Sequence, residues 1–352
     1  MSRVPTLVLG GTGLVAGELL RLIAAHPQLE LAGIMSDGSP GASVAEAFPH
    51  LAATYPDTLF QSQAQIAALL RRERAPALLG AAPHGVSAGL IDALLSVAEQ
   101  VGNAPRVVDI SADFRYPTAA AYQAVYQHPH GAPARLAQFS CAVPEHLDAI
   151  RTPHVAHPGC FATAILLASV PLLALDLIEP QLFVSAVTGS TGSGRKPTEA
   201  THHPTRHSDL YAYNPLAHRH AAEVSACAQA AAGVPAQFAF VPHSGPFARG
   251  IHATVQALLK RPVDRARLLE LLREYYARSP FVSVSEAPPR LKEIVGSNYA
   301  RLGVASDGRT VAVMSVLDNL NKGAAGGAVQ WLNRLLGFPQ ETGLTAPAPG
   351  WT

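Results

Sequence analysis

The stretch HPGCFATAILLA (157–168) places Cys160 directly after Pro158-Gly159, where an apolar helical run begins. A cysteine there has two chemical readings. It is either a small buried apolar residue, or a thiolate stabilised by the helix dipole and the unpaired N–H groups of the first turn. The second reading makes a nucleophile, and a thiol that attacks an acyl group needs an acid/base partner. HRHAAEV (218–224) offers His218 and His220 on either side of Arg219, at an expected helix start. The chain holds 15 histidines, so their presence alone decides little. Cys141 and Cys227 lack any comparable context, and Cys227 falls on the apolar face of an Ala-rich helix, where it reads as core. Three cysteines in no CxxC spacing build neither a disulfide framework nor a zinc site, and no metal is expected.

A second motif bears on what Cys160 does. Residues 10–17 read GGTGLVAG, with Gly10, Gly13 and Ala16 fitting G-x-x-G-x-x-A between a strand and a helix. Such a turn lets a pyrophosphate approach the backbone and offers it the helix N-terminal N–H groups. An acidic residue about 20 positions later would select NAD through a ribose hydroxyl. Asp37 stands just past the end of the second strand, whereas Ser36 suits a 2′-phosphate, so these residues leave NAD and NADP both open. A thiolate beside a nicotinamide suggests thioester formation, followed by hydride transfer that releases an aldehyde.

These residues need elements to hold them. TLVLGG, LELAGIMS, ALLGAAPH and RVVDIS read as buried strands, alternating with helical segments such as GLVAGELLRLIAAH, IAALLRRE and GVSAGLIDALLSVAEQ. That alternation implies a doubly wound parallel sheet of Rossmann type. After Cys160 the texture changes to longer strand-like runs: FVSAVTGS, QFAFVPHSG, GIHATVQALLKR, FVSVSE and TVAVMSVLDNL. Asp307-Gly308 marks a hairpin and Asp264 a helix N-cap. A second α+β domain on a largely antiparallel sheet is expected. The boundaries are 1–157 plus 322–352 for the NAD(P)-binding domain and 158–321 for the catalytic and dimerisation domain. The helix in GAAGGAVQWLNRLLG returns to the first domain, and the tail APAPGWT reads as disordered.

Composition narrows the class. Hydrophobic residues make up 48% and charged ones 14% of 352 residues, as in ordinary globular chains. The net charge of +1 gives no footprint for nucleic acid or an anionic membrane. No apolar run approaches a membrane span or a signal peptide, so a cytoplasmic protein is expected.

The motifs together resemble the N-acetyl-γ-glutamyl-phosphate reductases of arginine biosynthesis, in a superfamily with the aspartate-semialdehyde dehydrogenases. The resemblance runs from residue 7 to about 336. It rests on GGTGLVAGELLRLI, APHGVS (82–87), DISADFR (109–115), HPGCFATA, TGSTGSGRK (188–196), HRHAAEV, PHSGPFARGI (242–251), GSN (296–298) and DNLNKGAAGGAVQ (318–330). It implies that Cys160 is the nucleophile and His220 its acid/base partner, with His218 and Arg219 orienting substrate or phosphate. Gly10, Thr12, Gly13, Leu14 and Val15 match the dinucleotide turn, and Ser36 the adenosine ribose contact. Pro83 and His84 match the loop over the cofactor, Gly192 and Gly194 a turn facing nicotinamide and substrate, and Asn319 the nicotinamide side. Ser111, Asp113, Phe114 and Arg115 match a loop near the substrate. NADPH is the implied cofactor, with NAD not excluded, and a homodimer or homotetramer the implied assembly.

An acyl phosphate is anionic, so Arg115, Arg195, Lys196, Arg219 and Arg249 suit its phosphate or carboxylate, with Ser111 beside them. Asp113 and Glu223 read as structural partners. The segment EATHHPTRHSDLYAYNPLAHRH (199–220) departs most from the family. Its Thr-His-His-Pro element resembles relatives that reduce 2-aminoadipyl phosphate on an amino-group carrier protein, and an N-succinyl substrate is a further alternative. Reduction of aspartyl phosphate is disfavoured by HRHAAEV and DNLNKGAAG. A non-catalytic dinucleotide-binding protein is disfavoured because Cys160, His218, His220 and Asn319 are all retained.

Overall fold

The computed structural model describes residues 3–73 and 76–350, and its chain divides into two units. The first comprises Met1–Cys141, Ala149–His157 and Ala325–Leu344. Val4–Leu9 (β1) and Leu29–Met35 (β2) flank the helix Leu14–Ala25 (α1). The short turn Val44–Ala47 (α2) and the helix Gln63–Arg72 (α3) lead to Ala77–Gly80 (β3). Ser87–Gln100 (α4), Arg106–Asp109 (β4) and Ala119–Tyr126 (α5) follow, then Phe139–Cys141 (β5) and His154–Ala156 (β6). All six strands run parallel in the order β2-β1-β3-β4-β6-β5. β1 has β2 on one side and β3 on the other, so the winding reverses there. Such a switch point is where this architecture binds ligands.

The second unit comprises Ala142–Asp148, Pro158–Ala324 and Thr345–Thr352. Its spine is the helix Cys160–Ala174 (α6), buried at every position from Phe161 to Leu173. A helix apolar all round belongs in a core, and α6 packs on the strands Ile178–Thr188, Ile251–Leu259 and Thr310–Leu317 and on the helix His220–Ala232. In chain order come Ile178–Thr188 (β7), the one-turn helix His203–Arg206 (α7), Tyr211–Ala212 (β8) and His220–Ala232 (α8). Gln237–Ser244 (β9), Ile251–Leu259 (β10), Arg265–Tyr275 (α9) and Val282–Ser285 (β11) precede the pair Ala300–Ser306 (β12) and Thr310–Leu317 (β13). The seven strands form one sheet in the order β11-β12-β13-β10-β7-β9-β8. The sheet is mixed: β11–β12 and β7–β9 pair in parallel and the remaining neighbours antiparallel. Local signals in the sequence act where expected. Asp264 caps α9 by accepting from Arg267 N at 2.8 Å, and Gly308 (φ +87°) turns the β12–β13 hairpin.

Three segments fall differently from the expected boundaries. Residues 142–148 cluster with the second unit, the chain returns to the first at Ala325 rather than at residue 322, and Thr345–Thr352 groups with the second unit rather than the first. The return is late because Asn321–Ala325 winds as a π-turn whose first residues pack in the second unit. The helix Gly326–Leu335 (α10) then packs on β4 and α1, with Trp331 fully buried. The tail from 346 has no regular structure to residue 350, and its last two residues lie outside the described residues. Among the described residues no helix is long and apolar enough to cross a membrane.

Candidate active site

In the first unit the β1–α1 turn is shaped for an anion. Gly10 has φ +85°, and a Cβ there would lie 2.5 Å from Ala82 N, so only glycine allows β1 to pass this close to the segment after β3. Gly13, the N-cap of α1, differs: a Cβ there meets nothing nearer than Gly10 O at 3.9 Å. No side chain caps α1 and no acidic residue stands in its first turn, so the N–H groups of that turn remain available to a phosphate. Thr12, Leu14 and Val15 lie in the same turn. Ser36 follows β2 and is buried, while Asp37 Oδ1 accepts from Gln63 N at 3.1 Å, at the start of α3. Pro83 and His84 form the turn after β3, and His84 Nδ1 accepts from Ala112 N at 2.9 Å. These residues fit a pyridine dinucleotide: a glycine cradle, an uncapped helix start and a switch point coincide.

The loop after β4 is tightly knit within the first unit. Asp109 is fully buried and accepts from Ser87 Oγ and Ser111 Oγ; burial pushes its carboxyl up to about 6. Asp113 accepts from Gly85 N, Ala88 N and Tyr122 OH, so it organises the start of α4 rather than pairing with an arginine. Arg115 is buried and donates to the carbonyls of His157 and Ile110. Phe114 stacks on Phe139.

In the second unit a cavity of about 350 Å³ is lined by Cys160, Gly192, Arg219 and the two histidines His218 and His220. Cys160 is the first residue of α6, with Gly159 as its N-cap and no capping side chain, so its sulfur stands at the positive end of the helix. Glu223, fully buried on the first turn of α8, accepts from Gly159 N at 2.5 Å and ties the two helix starts together. His220 opens α8, and its backbone N–H donates to His218 Nδ1 at 3.2 Å. Burial, and after it the Arg219 cation, pushes His218 down to about 4, so it is neutral at pH 7. With Nδ1 accepting, the neutral ring carries its proton on Nε2, ready to donate.

Other proposed contacts lie elsewhere in this unit. Gly194 (φ +85°) closes the 189–194 turn, and Arg195 and Lys196 are exposed after it. Arg249 places its guanidinium as a fork on the buried Asp318, both N···O distances 3.0 Å. Asn319 accepts from Gly250 N and donates to Thr191 Oγ1, which fastens the 189–194 turn in place. None of these five is among the residues lining the Cys160 cavity.

The cavity also holds residues that motif reading passed over, Tyr213, Asn214 and Ser244 among them. Burial, and then the charge of Cys160, hold the Tyr213 phenol above its ordinary range, which marks its nearness to the sulfur. A signal for this stretch was present in Asn214-Pro215, a turn pair. The backbone there is unusual. Of five non-glycine residues with positive φ among the described residues, Ser208, Asn214 and Leu216 cluster in this stretch. Such strain concentrates at functional sites.

The parallel sheet with its glycine turn defines a dinucleotide-binding dehydrogenase fold, and the comparisons agree. Residues 6–139 match the semialdehyde dehydrogenase NAD-binding domain, and residues 160–319 the semialdehyde dehydrogenase dimerisation domain. The N-acetyl-gamma-glutamyl-phosphate reductase of Nitrosococcus oceani is 38% identical over 96% of both chains. That of Methanopyrus kandleri is 37% identical over 97% of both. Among solved structures, aspartate semialdehyde dehydrogenase II from Vibrio cholerae superposes with a TM-score of 0.69 at 15% identity, covering 95% of this chain and 99% of its own. The chain belongs to the N-acetyl-gamma-glutamyl-phosphate reductase family of the semialdehyde dehydrogenases.

Proposed function

We propose that the protein reduces N-acetyl-γ-glutamyl phosphate to N-acetylglutamate 5-semialdehyde in arginine biosynthesis, as a cytoplasmic, NADPH-dependent enzyme. The observation that carries this reading is Cys160 at the uncapped start of α6, in one cavity with His218, Arg219 and His220. The thiolate attacks the acyl carbon, the C–O bond to phosphate breaks, and inorganic phosphate leaves from a thioester. The β1–α1 turn, Gly10 to Val15, would hold a pyridine dinucleotide, whose reduced form would supply the hydride that the thioester carbonyl needs. The C–S bond then breaks, and the aldehyde and the Cys160 thiolate separate. His220 is the acid/base group that gives the carbonyl oxygen its proton as hydride arrives and retrieves it as the oxygen reforms a double bond. Neutral His218 and cationic Arg219 orient the anionic substrate. Ser111, Arg115, Arg195, Lys196 and Arg249 remain candidates for substrate or phosphate contacts.

Ser36 after β2, with Asp37 bonded to the start of α3, supports NADPH over NADH. The dimerisation-domain match supports a homodimer, and Phe183 and Leu258, 53% and 46% exposed on neighbouring strands β7 and β10, support its sheet face as the contact. The test is reverse-direction kinetics with semialdehyde, phosphate and NADP⁺ or NAD⁺. A higher kcat/KM for the N-acetyl compound than for N-succinyl or carrier-linked analogues is expected, with Cys160→Ser slower by about 10³-fold or more. A Cys160→Ser enzyme with undiminished turnover would sink the covalent route.

A further inference from the structure

The strongest unused feature is a fully buried ion pair in the second unit. Lys322 and Glu145 have side chains 0% and 1% exposed, with Nζ 2.6 Å from Oε1. Lys322 Nζ also lies 5.7 Å from the centre of the Phe281 ring. Lys322 belongs to the π-turn Asn321–Ala325, a backbone form frequent at functional sites. Its neighbour Gly323 packs directly on the cysteine. A Cβ on Gly323 would lie 2.8 Å from Cys160 Cβ and 3.1 Å from Cys160 Cα, so this backbone forms the wall behind the nucleophile.

Both ends of the pair are anchored. On one side, Asp318 accepts from Gly296, Leu320 and Asn321 N–H groups and from Arg249, and the Asp318 carbonyl accepts from Gly323 N at 3.0 Å. On the other, Glu145 sits in the short turn Pro144–His146, and His146 Nε2 is 2.8 Å from Tyr276 OH. That phenol donates to the Leu167 carbonyl at 2.8 Å, two turns along α6 from Cys160. The segment carrying Glu145 is thus fixed to the helix that carries the sulfur, and Lys322 is fixed to that segment.

A buried ion pair often adds no net stability over apolar residues of similar volume, and in some proteins such a pair instead fixes one geometry. We propose that Lys322 and Glu145 are positioning residues: they hold the 321–325 turn so that Gly323 backs Cys160 and the sulfur keeps one orientation into the cavity. This rests on Cys160 being the nucleophile, and it assigns the pair no contact with substrate.

The test removes both charges together, Lys322→Met with Glu145→Gln, so that neither ion is left alone in the core. Three readouts are taken on the full-length protein: Tm, the kcat and KM split in the reverse direction, and the pH-dependent rate of Cys160 alkylation by iodoacetamide. A loss of alignment is expected to lower kcat by about 10- to 100-fold, with KM for semialdehyde and phosphate nearly unchanged and the alkylation rate altered in parallel. A double variant with lower Tm but wild-type kcat and alkylation overturns the proposal and leaves the pair a purely structural one. Should that variant not fold, Gly323→Ala pushes on Cys160 without touching the charges. A folded Gly323→Ala with wild-type turnover overturns the proposal equally. Failure of the nucleophile reading shows separately, as undiminished turnover in Cys160→Ser.

Discussion

Two helix starts, those of α1 and α6, share one physical device and surround it differently. Each follows a parallel strand of the first unit, each has a glycine N-cap, and neither has a capping side chain. At α1 the turn is built from glycines, no acid stands in the first turn, and the space before Gly13 is open. The positive end of the helix there is left for a diffusible anion. At α6 the first helical residue is itself a cysteine, and the neighbourhood is crowded: Glu223 on Gly159 N, Gly323 against the side chain, His218 and His220 in the same cavity. A loosely held anion needs open donors, whereas a covalent nucleophile needs a fixed sulfur and groups that manage protons around it.

Substitutions at the two glycines of the α1 turn separate fold from binding. In Gly10→Ala the new Cβ meets the Ala82 backbone and must adopt a left-handed φ. The two penalties sum to about 3 kcal/mol or more, so a large fall in Tm is expected together with loss of cofactor binding. Gly13→Ala has room for its Cβ in the free protein. There Tm should stay near wild type while the KM for the dinucleotide rises by about tenfold or more, because the added methyl stands where a pyrophosphate approaches. Thermal unfolding and cofactor titration on both variants check this. Equal losses of Tm would show that the turn is merely structural.

How much of this was legible beforehand depended on the range of the interactions. The turn Gly10–Val15, the helix start at Cys160, the Asp264 cap and the hairpin at Gly308 are local, and composition with spacing suffices to read them. Motif reading also named Cys160, His218, Arg219 and His220, which the fold brings to one cavity. Long-range pairings left no local mark. Arg249 reads as a free cation in the sequence, yet it spans 69 positions to Asp318. Lys322 and Glu145 stand 177 positions apart. The parallel pairing of β7 with β9 likewise depends on a crossover that strand periodicity does not reveal.

The two helix starts should also respond differently to acid. No acidic residue stands in the first turn of α1, whereas imidazoles kept neutral by burial lie in the second unit: His218 at the cavity and His146 beside Glu145, both pushed down to about 4. His154 in the first unit is held near 4 in the same way. Between about pH 6.5 and 4 the unfolded chain binds protons that these folded-state rings refuse, so stability falls as pH falls through that window. Each ring contributes a slope of about 1.4 kcal/mol per pH unit at most, and the partly solvated His218 less. Asp109 works in the opposite sense, because a carboxyl raised to about 6 is protonated in the folded state first. Three rings against one carboxyl leave a net loss on acidification, to be read from urea midpoints between pH 7 and 4.5. His146→Gln should flatten that slope; an unchanged slope would show that this imidazole titrates normally.

The smallest effect is expected where the comparison is sharpest. Glu223 gives the α6 start something that α1 lacks, a carboxylate on the backbone N–H one residue before the sulfur. That bond orders Gly159, but a negative charge so near opposes the thiolate that the helix dipole favours. Glu223→Gln keeps an acceptor oxygen for Gly159 N and removes the charge. The pH midpoint of Cys160 alkylation should then fall, by about 0.5 to 1 pH unit for a charge screened in a partly solvated cavity, with Tm little changed. A midpoint that rises would mean the carboxylate supports the reactive thiolate rather than opposing it. An unmoved midpoint would mean the α6 dipole and the histidines set the sulfur's charge by themselves, and the two helix starts would then differ only in what they hold.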